Sequence, residues 1–142
     1  MSSERRWSVF VPITPVAQPR QRISTIGGRA RSYLPKKHPV HGYKLALQHA
    51  VREAGIEVGD GPLAFGLVFY LPMPASWSKK KRAALLHSPH CQKPDLDNLA
   101  KAVLDGLLPV IGDDSRVWQF DVLRKLWAEH GGIGITISQY WS

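Results

Sequence analysis

The sequence lacks the features that mark secreted, disulfide-rich and membrane-spanning proteins. A single cysteine, Cys91, in 142 residues excludes an internal disulfide framework and fits a reducing cytoplasm. The first residues lack the apolar stretch of a signal peptide, and no run approaches the roughly 18 apolar residues of a membrane span. With 44% hydrophobic residues and five tryptophans, the chain is predicted to form one folded cytoplasmic domain over residues 1–142.

Acidic residues are few and unevenly placed. The chain has 11 acids against 19 Lys and Arg, for a formal net charge of +8. Residues 1–44 hold nine bases and one acid, whereas residues 95–142 hold four bases and seven acids. Because neutralising phosphates releases counterions, the basic half favours a nucleic-acid partner, with a solvated basic face as the alternative.

The hydrophobic pattern predicts an α+β domain, in which helices pack on a small mixed β-sheet in the order β-α-β-(α)-α-β-β. The proline-rich, basic stretch 14–37 is typical of an extended segment or loop. The last two strands are joined through Gly131 and Gly132, which favours antiparallel pairing as a hairpin. The predicted strands cover 6–13, 62–73, 117–129 and 132–141, and the predicted helices cover 40–54, a short basic stretch within 78–90, and 97–108.

The most informative stretch places five aspartates within residues 95–114. The helix predicted there carries one apolar stripe, and Asp97, Lys101 and Asp105 share another face at four-residue spacing. Asp113 and Asp114 follow a Gly-containing turn, immediately before a strand. The apolar stripe consists of Leu96, Leu99, Ala100, Val103, Leu104, Leu107 and Leu108.

Two interpretations of these acids remain open. Asp95 and Asp97 are at a helix start, where acids are favoured by capping and by the helix dipole, and Asp97–Lys101 is an ordinary helix pair. Alternatively the helix start and the strand start converge in space. Carboxylates ~4 Å apart repel by ~4 kcal/mol at an effective dielectric of 20, so such a cluster needs a cation. Oxygen ligands around an open position suit Mg²⁺ or Mn²⁺ and predict phosphodiester hydrolysis, with Lys101 as the cation for the phosphate or the water.

The stretch KPDLDNLAKAVLDGL, followed by DDSRV, resembles the RusA-like Holliday-junction resolvases of bacteria and their phages. The openings VPITPVAQPRQR and ARSYLPKK are also similar to that family. The resemblance implies a homodimeric, Mg²⁺-dependent endonuclease that cuts four-way DNA junctions by paired nicks, with Mn²⁺ able to substitute. It implies metal-binding catalytic carboxylates at Asp95, Asp97 and Asp114 and an essential Lys101. Asp113 and Asp105 are implied as supporting acids, and Asp113 is a further candidate metal ligand beside Asp114. The chain departs from the family pattern at Gly106, Gly112 and Arg116, where alanine, a bulkier residue and glutamine are usual.

Basic residues of the N-terminal half are the candidate contacts to the DNA backbone. Such contacts position a protein on DNA without reading its sequence. They are Arg20, Arg22, Arg29, Arg31, Lys36 and Lys37. The run 79–82, KKKR, is more typical of a solvated face, with DNA contact as the alternative. HSPHC (87–91) lacks a second pair of ligands, so a structural zinc site is not predicted.

Two other functions are compatible with the same residues. One is a nuclease for flaps or other branched DNA that uses the same site. The other is a basic DNA-binding module without catalysis, in which the acids only cap a helix.

Overall fold

A computed structural model describes residues 4–19 and 38–140, together with the backbone of two strands, 22–26 and 29–33. The strands are β1 (Arg5–Val11), β2 (Arg22–Ile26), β3 (Arg29–Tyr33), β4 (Leu63–Pro72), β5 (Val117–Ala128) and β6 (Gly132–Gln139). The helices are α1 (Val40–Glu53), α2 (Lys79–Leu85), α3 (Leu96–Gly106) and α4 (Leu108–Ile111), and a 3₁₀ turn covers Asp114–Arg116. The predicted α+β class with a mixed sheet is confirmed. No helix in the described ranges is long and apolar enough to cross a bilayer.

The main sheet has four strands in the order β1-β6-β4-β5. β6 is antiparallel to both β1 and β4, and β5 is parallel to β4. The predicted hairpin between β5 and β6 is therefore wrong, because β4 lies between them. β4 is the most apolar strand and is buried along most of its length, so a central position protects its backbone hydrogen bonds on both sides. The link 129–131 needs to span two strand spacings of about 4.8 Å, which three residues can reach.

β2 and β3 form a separate two-stranded antiparallel sheet, with Arg22 opposite Tyr33 and Ile26 opposite Arg29. The prediction of an extended segment or loop over 14–37 did not include this pairing of two strands. Two short segments with β-branched and aromatic residues flank Gly27 and Gly28, and a two-residue Gly-Gly link is a hairpin signal. The prolines around these segments concealed that signal.

One face of the main sheet is covered by α1 and α3, which also pack on each other. The apolar stripe of α1 comprises Val40, Tyr43, Leu47 and Val51, each at most 5% exposed. They meet alternate residues of β4, such as Phe65 and Leu67, and the isoleucines of β6. Burial and the loss of polar surroundings raise the pKa of Tyr43 above its ordinary value. α1 stops before Gly55, as predicted, since that residue has φ +75°.

α3 is shorter than predicted and very close to α1. Leu99, Ala100, Val103 and Leu107 are buried as expected, but the helix ends at Gly106 and Leu108 starts α4, 36% exposed. A Cβ on Gly106 would lie 2.9 Å from Cγ and 3.3 Å from Cα of Lys44. Gln48 Nε2 donates a hydrogen bond of 2.8 Å to the Gly106 carbonyl. Glycine at this position therefore lets the two helices approach, and the approach determines where α3 lies on the sheet.

Candidate active site

Asp95 and Asp97 begin α3, but neither acts as a helix cap. The Asp95 backbone is extended at the N-cap position, and its side chain makes no capping hydrogen bond. Its carboxylate instead pairs with Lys93 Nζ, at 2.8 and 3.0 Å. Asp97 and Lys101 are exposed, and no ion pair joins them in the described part of the chain. The Asp95 side chain thus makes no capping hydrogen bond, whereas Asp97 keeps the favourable position of an acid in the first turn.

The loop before Asp95 is anchored on the outer edge of β5. His90 N donates to the Lys125 carbonyl (3.1 Å), and Trp127 N donates to the Ser88 carbonyl (3.0 Å). The ammonium of Lys125 donates to the Pro94 carbonyl at 2.7 Å and also to the Gln92 carbonyl. The Lys93–Pro94 peptide is cis. β5 therefore positions the acidic start of α3 through Lys125.

His90 is a packing residue within this loop. It is 7% exposed, and its ring lies 4.0 Å from the Trp127 ring. Burial, and secondarily the charge of Lys125, hold the pKa of His90 below its ordinary value. The neutral ring accepts a hydrogen bond from Gln92 N at Nδ1 (3.3 Å). The HSPHC stretch thus belongs to the support of Asp95, with Cys91 exposed beside it.

Asp113 and Asp114 lie at the other end of the α3–α4 pair and have different roles. Gly112 has φ +85°, a conformation that favours glycine over the bulkier residue usual in the resembling family. Asp113 Oδ1 accepts a hydrogen bond from Ser115 N (2.8 Å), which caps the 3₁₀ turn. That bond, aided by the Ser115 and Asp114 side chains, lowers the pKa of Asp113. Asp113 shapes the turn, and the exposed Asp114 is the better candidate for a ligand.

Arg116 ties this acidic turn to the loop before β4. Its guanidinium donates to the carbonyls of Ile111 (2.7 Å) and Gly61 (3.1 Å), and also to that of Gly59. Gln139 holds the same loop by accepting a hydrogen bond from Gly59 N at 2.8 Å. A glutamine, which is usual here in the resembling family, has too few donors for this fork. Arg116 therefore presents Asp113 and Asp114 in a defined position.

Replacing Arg116 tests how much its three hydrogen bonds contribute to stability. Arg116→Lys keeps the charge but loses the three-way hydrogen bonding, so we expect the free energy of unfolding to fall by about 1–3 kcal/mol. Urea unfolding measures the change. Arg124→Lys on the exposed part of β5 is the matched control and should stay within about 0.5 kcal/mol of wild type. Equal stability of the two variants would contradict the role of Arg116.

The two acidic groups lie at opposite ends of the sheet in one protomer. α3 has 11 residues, which corresponds to about 16 Å of helix. Lys125, beside Asp95, is eight residues along β5 from Val117, which follows the acidic turn; this is roughly 26 Å of strand. Accordingly, no group of three or more His, Cys, Asp or Glu in the described ranges is arranged to hold a metal ion. Among the described residues of one chain, the helix start and the strand start therefore do not bring three such side chains together.

The predicted DNA-contact residues are only partly described. Arg22 is in β2, and Arg29 and Arg31 are in β3, where the backbone alone is described. Arg20, Lys36 and Lys37 lie outside the described residues. Gln18 N, however, donates to the Asn98 carbonyl in the first turn of α3 (3.0 Å). The segment that leads into the basic hairpin therefore starts beside Asp97.

The sequence did not predict the supporting roles of three residues: Gln18, Lys125 and Arg116. Arg116 carried a signal, because it departs from the family pattern next to the paired aspartates. Lys125 carried none, since it contacts a loop 31 residues away in sequence.

Similarity to known proteins identifies the family of this chain. The family model described as endodeoxyribonuclease RusA matches residues 12–138, which includes all five aspartates. The chain is also 32% identical over 130 residues to the uncharacterized protein YqaN of Bacillus subtilis strain 168, covering 88% of this chain and 90% of that protein. The chain therefore belongs to the RusA endodeoxyribonuclease family, and is a nuclease of the kind that resolves Holliday junctions.

Proposed function

We propose that the protein is a Mg²⁺-dependent endonuclease that resolves four-way DNA junctions by paired, symmetric nicks. The observation that carries this proposal is the exposed pair Asp97 and Lys101 on one face of α3, in a RusA-family chain. Neither side chain is used for capping or for an ion pair in the described part of the chain. Asp95, Asp97 and Asp114 are the proposed metal ligands, Asp113 supports them, and Mn²⁺ is expected to substitute.

The chemistry of these residues suits a hard cation. Mg²⁺ binds through a few carboxylates and keeps waters and phosphate oxygens in its other positions. The ion pair with Lys93 should hinder metal binding by Asp95 only slightly. The Lys93 side chain is 82% exposed, and such surface pairs contribute only about 0–1 kcal/mol. Within the described part of one protomer, however, the carboxylates at this place are Asp95 and Asp97. A site with three carboxylates needs an acid from elsewhere.

A second copy of the chain is the proposed source of that acid. Most soluble homo-oligomers are two-fold symmetric, and a four-way junction offers two equivalent strands to two equivalent sites. We propose that Asp95 and Asp97 of one protomer meet Asp114 of its partner. The separation of the two acidic groups along the chain's own sheet supports this arrangement.

The residues then divide the work of phosphodiester hydrolysis. A bound divalent cation would polarise the phosphoryl oxygen and lower the pKa of water. Asp95 and Asp97 of one protomer, with Asp114 of the partner subunit, would hold that cation. The ammonium of Lys101, one helical turn beyond Asp97, offsets charge that develops on the phosphate or orients the attacking water. The basic β2–β3 hairpin, which follows the α3 contact of Gln18 in the chain, contacts the DNA backbone.

The test is cleavage of an end-labelled synthetic four-way junction with Mg²⁺ or Mn²⁺, beside flap and linear duplex substrates. We expect paired nicks at symmetric positions in the junction and little cutting of the linear duplex. Preferred cutting of flaps would favour the broader branched-DNA nuclease. Binding without any cutting, in either metal, would leave a non-catalytic DNA-binding module and would contradict the proposal.

A further inference from the structure

Helix α2 (Lys79–Leu85) has no buried residue, so apolar packing does not account for it. Isolated helices of this length are marginal in water. Its start is capped by Ser78 Oγ, which accepts a hydrogen bond from Lys81 N at 3.2 Å. Contacts outside the hydrophobic core must therefore hold α2 in place. The function of its four consecutive cations, Lys79 to Arg82, also needs an explanation.

Two of those four cations hold the helix in place. Arg82 donates to the Pro74 carbonyl (2.7 Å) and to Glu129 Oε2 (2.9 Å). The hydrogen bond from Arg82 lowers the pKa of Glu129, which keeps that carboxylate charged. Lys81 Nζ lies 4.3 Å from the centroid of the Trp77 ring, which is a cation–π contact.

The other two cations, Lys79 and Lys80, are exposed, and no hydrogen bond or ion pair occupies them in the described ranges. Both lie in the first helical turn, which contains no acid. Positive side chains are disfavoured at this end of a helix, where the dipole favours acids. Stability of α2 therefore does not explain why two lysines are present here.

The helix is built on the same support as the candidate active site. The rings of Trp77 and Trp127 are 4.7 Å apart, and the Trp127 ring is 4.0 Å from His90. Trp127 is on β5, two residues beyond Lys125, which holds the loop before Asp95 through the Pro94 carbonyl. A continuous set of contacts thus fixes α2 relative to Asp95.

We propose that Lys79 and Lys80 form a phosphate-binding surface that contacts the DNA backbone of the arm beside the cut strand. Lys81 and Arg82 position this surface. The occupant is DNA because the four consecutive cations of α2 outnumber the one acid that contacts them, Glu129, and because α2 shares its support with the acidic start of α3. The inference rests on the proposed function and adds a contact surface outside the N-terminal basic half.

The experiment measures binding of a fluorescent four-way junction in EDTA, which prevents cleavage, over a range of salt concentrations. For Lys79→Ala/Lys80→Ala we expect the slope of log K against log salt to become shallower by about 0.9 for each lost phosphate contact. At moderate salt we expect affinity to fall roughly five- to twenty-fold, which is 1–2 kcal/mol for the pair. Lys79→Arg/Lys80→Arg keeps both charges and should restore binding and slope.

Two further variants make the result specific. Arg52→Ala removes an exposed cation from α1 and should leave the salt slope unchanged. Lys81→Ala should change the Trp fluorescence, because it removes the contact of Lys81 with the Trp77 ring. The slope of log K against log salt should stay close to that of wild type. If Lys79→Ala/Lys80→Ala kept the affinity and salt slope of wild type, the proposed phosphate-binding surface would be wrong. Normal junction cleavage by wild type would then still support the proposed function. Absence of junction binding by wild type would overturn both.

Discussion

The rate of junction cleavage by Asp97→Asn is expected to be roughly a thousandfold below that of wild type. A metal ligand supports several kcal/mol of transition-state stabilisation, and each ~1.4 kcal/mol changes the rate tenfold. Asparagine keeps the shape of the side chain but removes the charge that a divalent cation needs. The residue is exposed and is not part of the core or of a cap, so folding should be preserved. Single-turnover cleavage of the labelled junction measures the loss, and binding in EDTA shows whether DNA contact is kept.

The control for this variant is Asp121→Asn, at an exposed aspartate on β5 whose carboxylate accepts a hydrogen bond from Gln119 (2.6 Å). It should cleave at nearly the wild-type rate. Both variants should bind the junction within about threefold of wild type, a difference below 1 kcal/mol. Unimpaired cutting by Asp97→Asn would remove Asp97 from the active site, and with it the proposed metal centre.

Mixing two inactive variants is expected to restore activity if each site is shared between protomers. In a heterodimer of Asp97→Asn and Asp114→Asn, one site carries both substitutions and the other carries neither. Random exchange of subunits makes half of the dimers heterodimers, so about a quarter of all sites should be intact in a two-fold dimer. The variants are mixed, allowed to exchange after mild denaturant, and assayed on a junction labelled on each strand. Because each heterodimer has one working site, we expect single nicks in place of paired ones.

The matched control mixes Asp97→Asn with Asp95→Asn. Both substitutions are at the start of α3, so every site in every dimer lacks one carboxylate, and activity should stay absent. If each protomer held a complete site, neither mixture would recover. Failure of the first mixture, under conditions in which exchange is verified by native mass spectrometry, would contradict the shared site while leaving junction cleavage by wild type unaffected.

Much of the candidate site was predictable because its residues are close in the chain. The apolar stripe of α3 repeats at three- and four-residue steps, which puts Asp97 and Lys101 on the solvent side in any helix of this sequence. The buried stripe of α1 and its stop before Gly55 follow from the same local patterns. The order of positive and negative segments needs no structure at all. These features depend on contacts within about one helical turn.

The tertiary structure decided which segments lie side by side. It put β4 between β5 and β6, since the strand that buries most of both faces gains most from two neighbours. Lys125 holds the loop before Asp95 by a hydrogen bond, and Arg116 holds the turn that carries Asp113 and Asp114. Both contacts join residues that are far apart in sequence. The tertiary structure also placed Asp95 and Asp97 apart from Asp113 and Asp114, although these two groups of acids are close in sequence. The sequence by itself determined which residues carry charge on which face; their distances depended on strand order and helix packing, because these arise from burial across the whole chain.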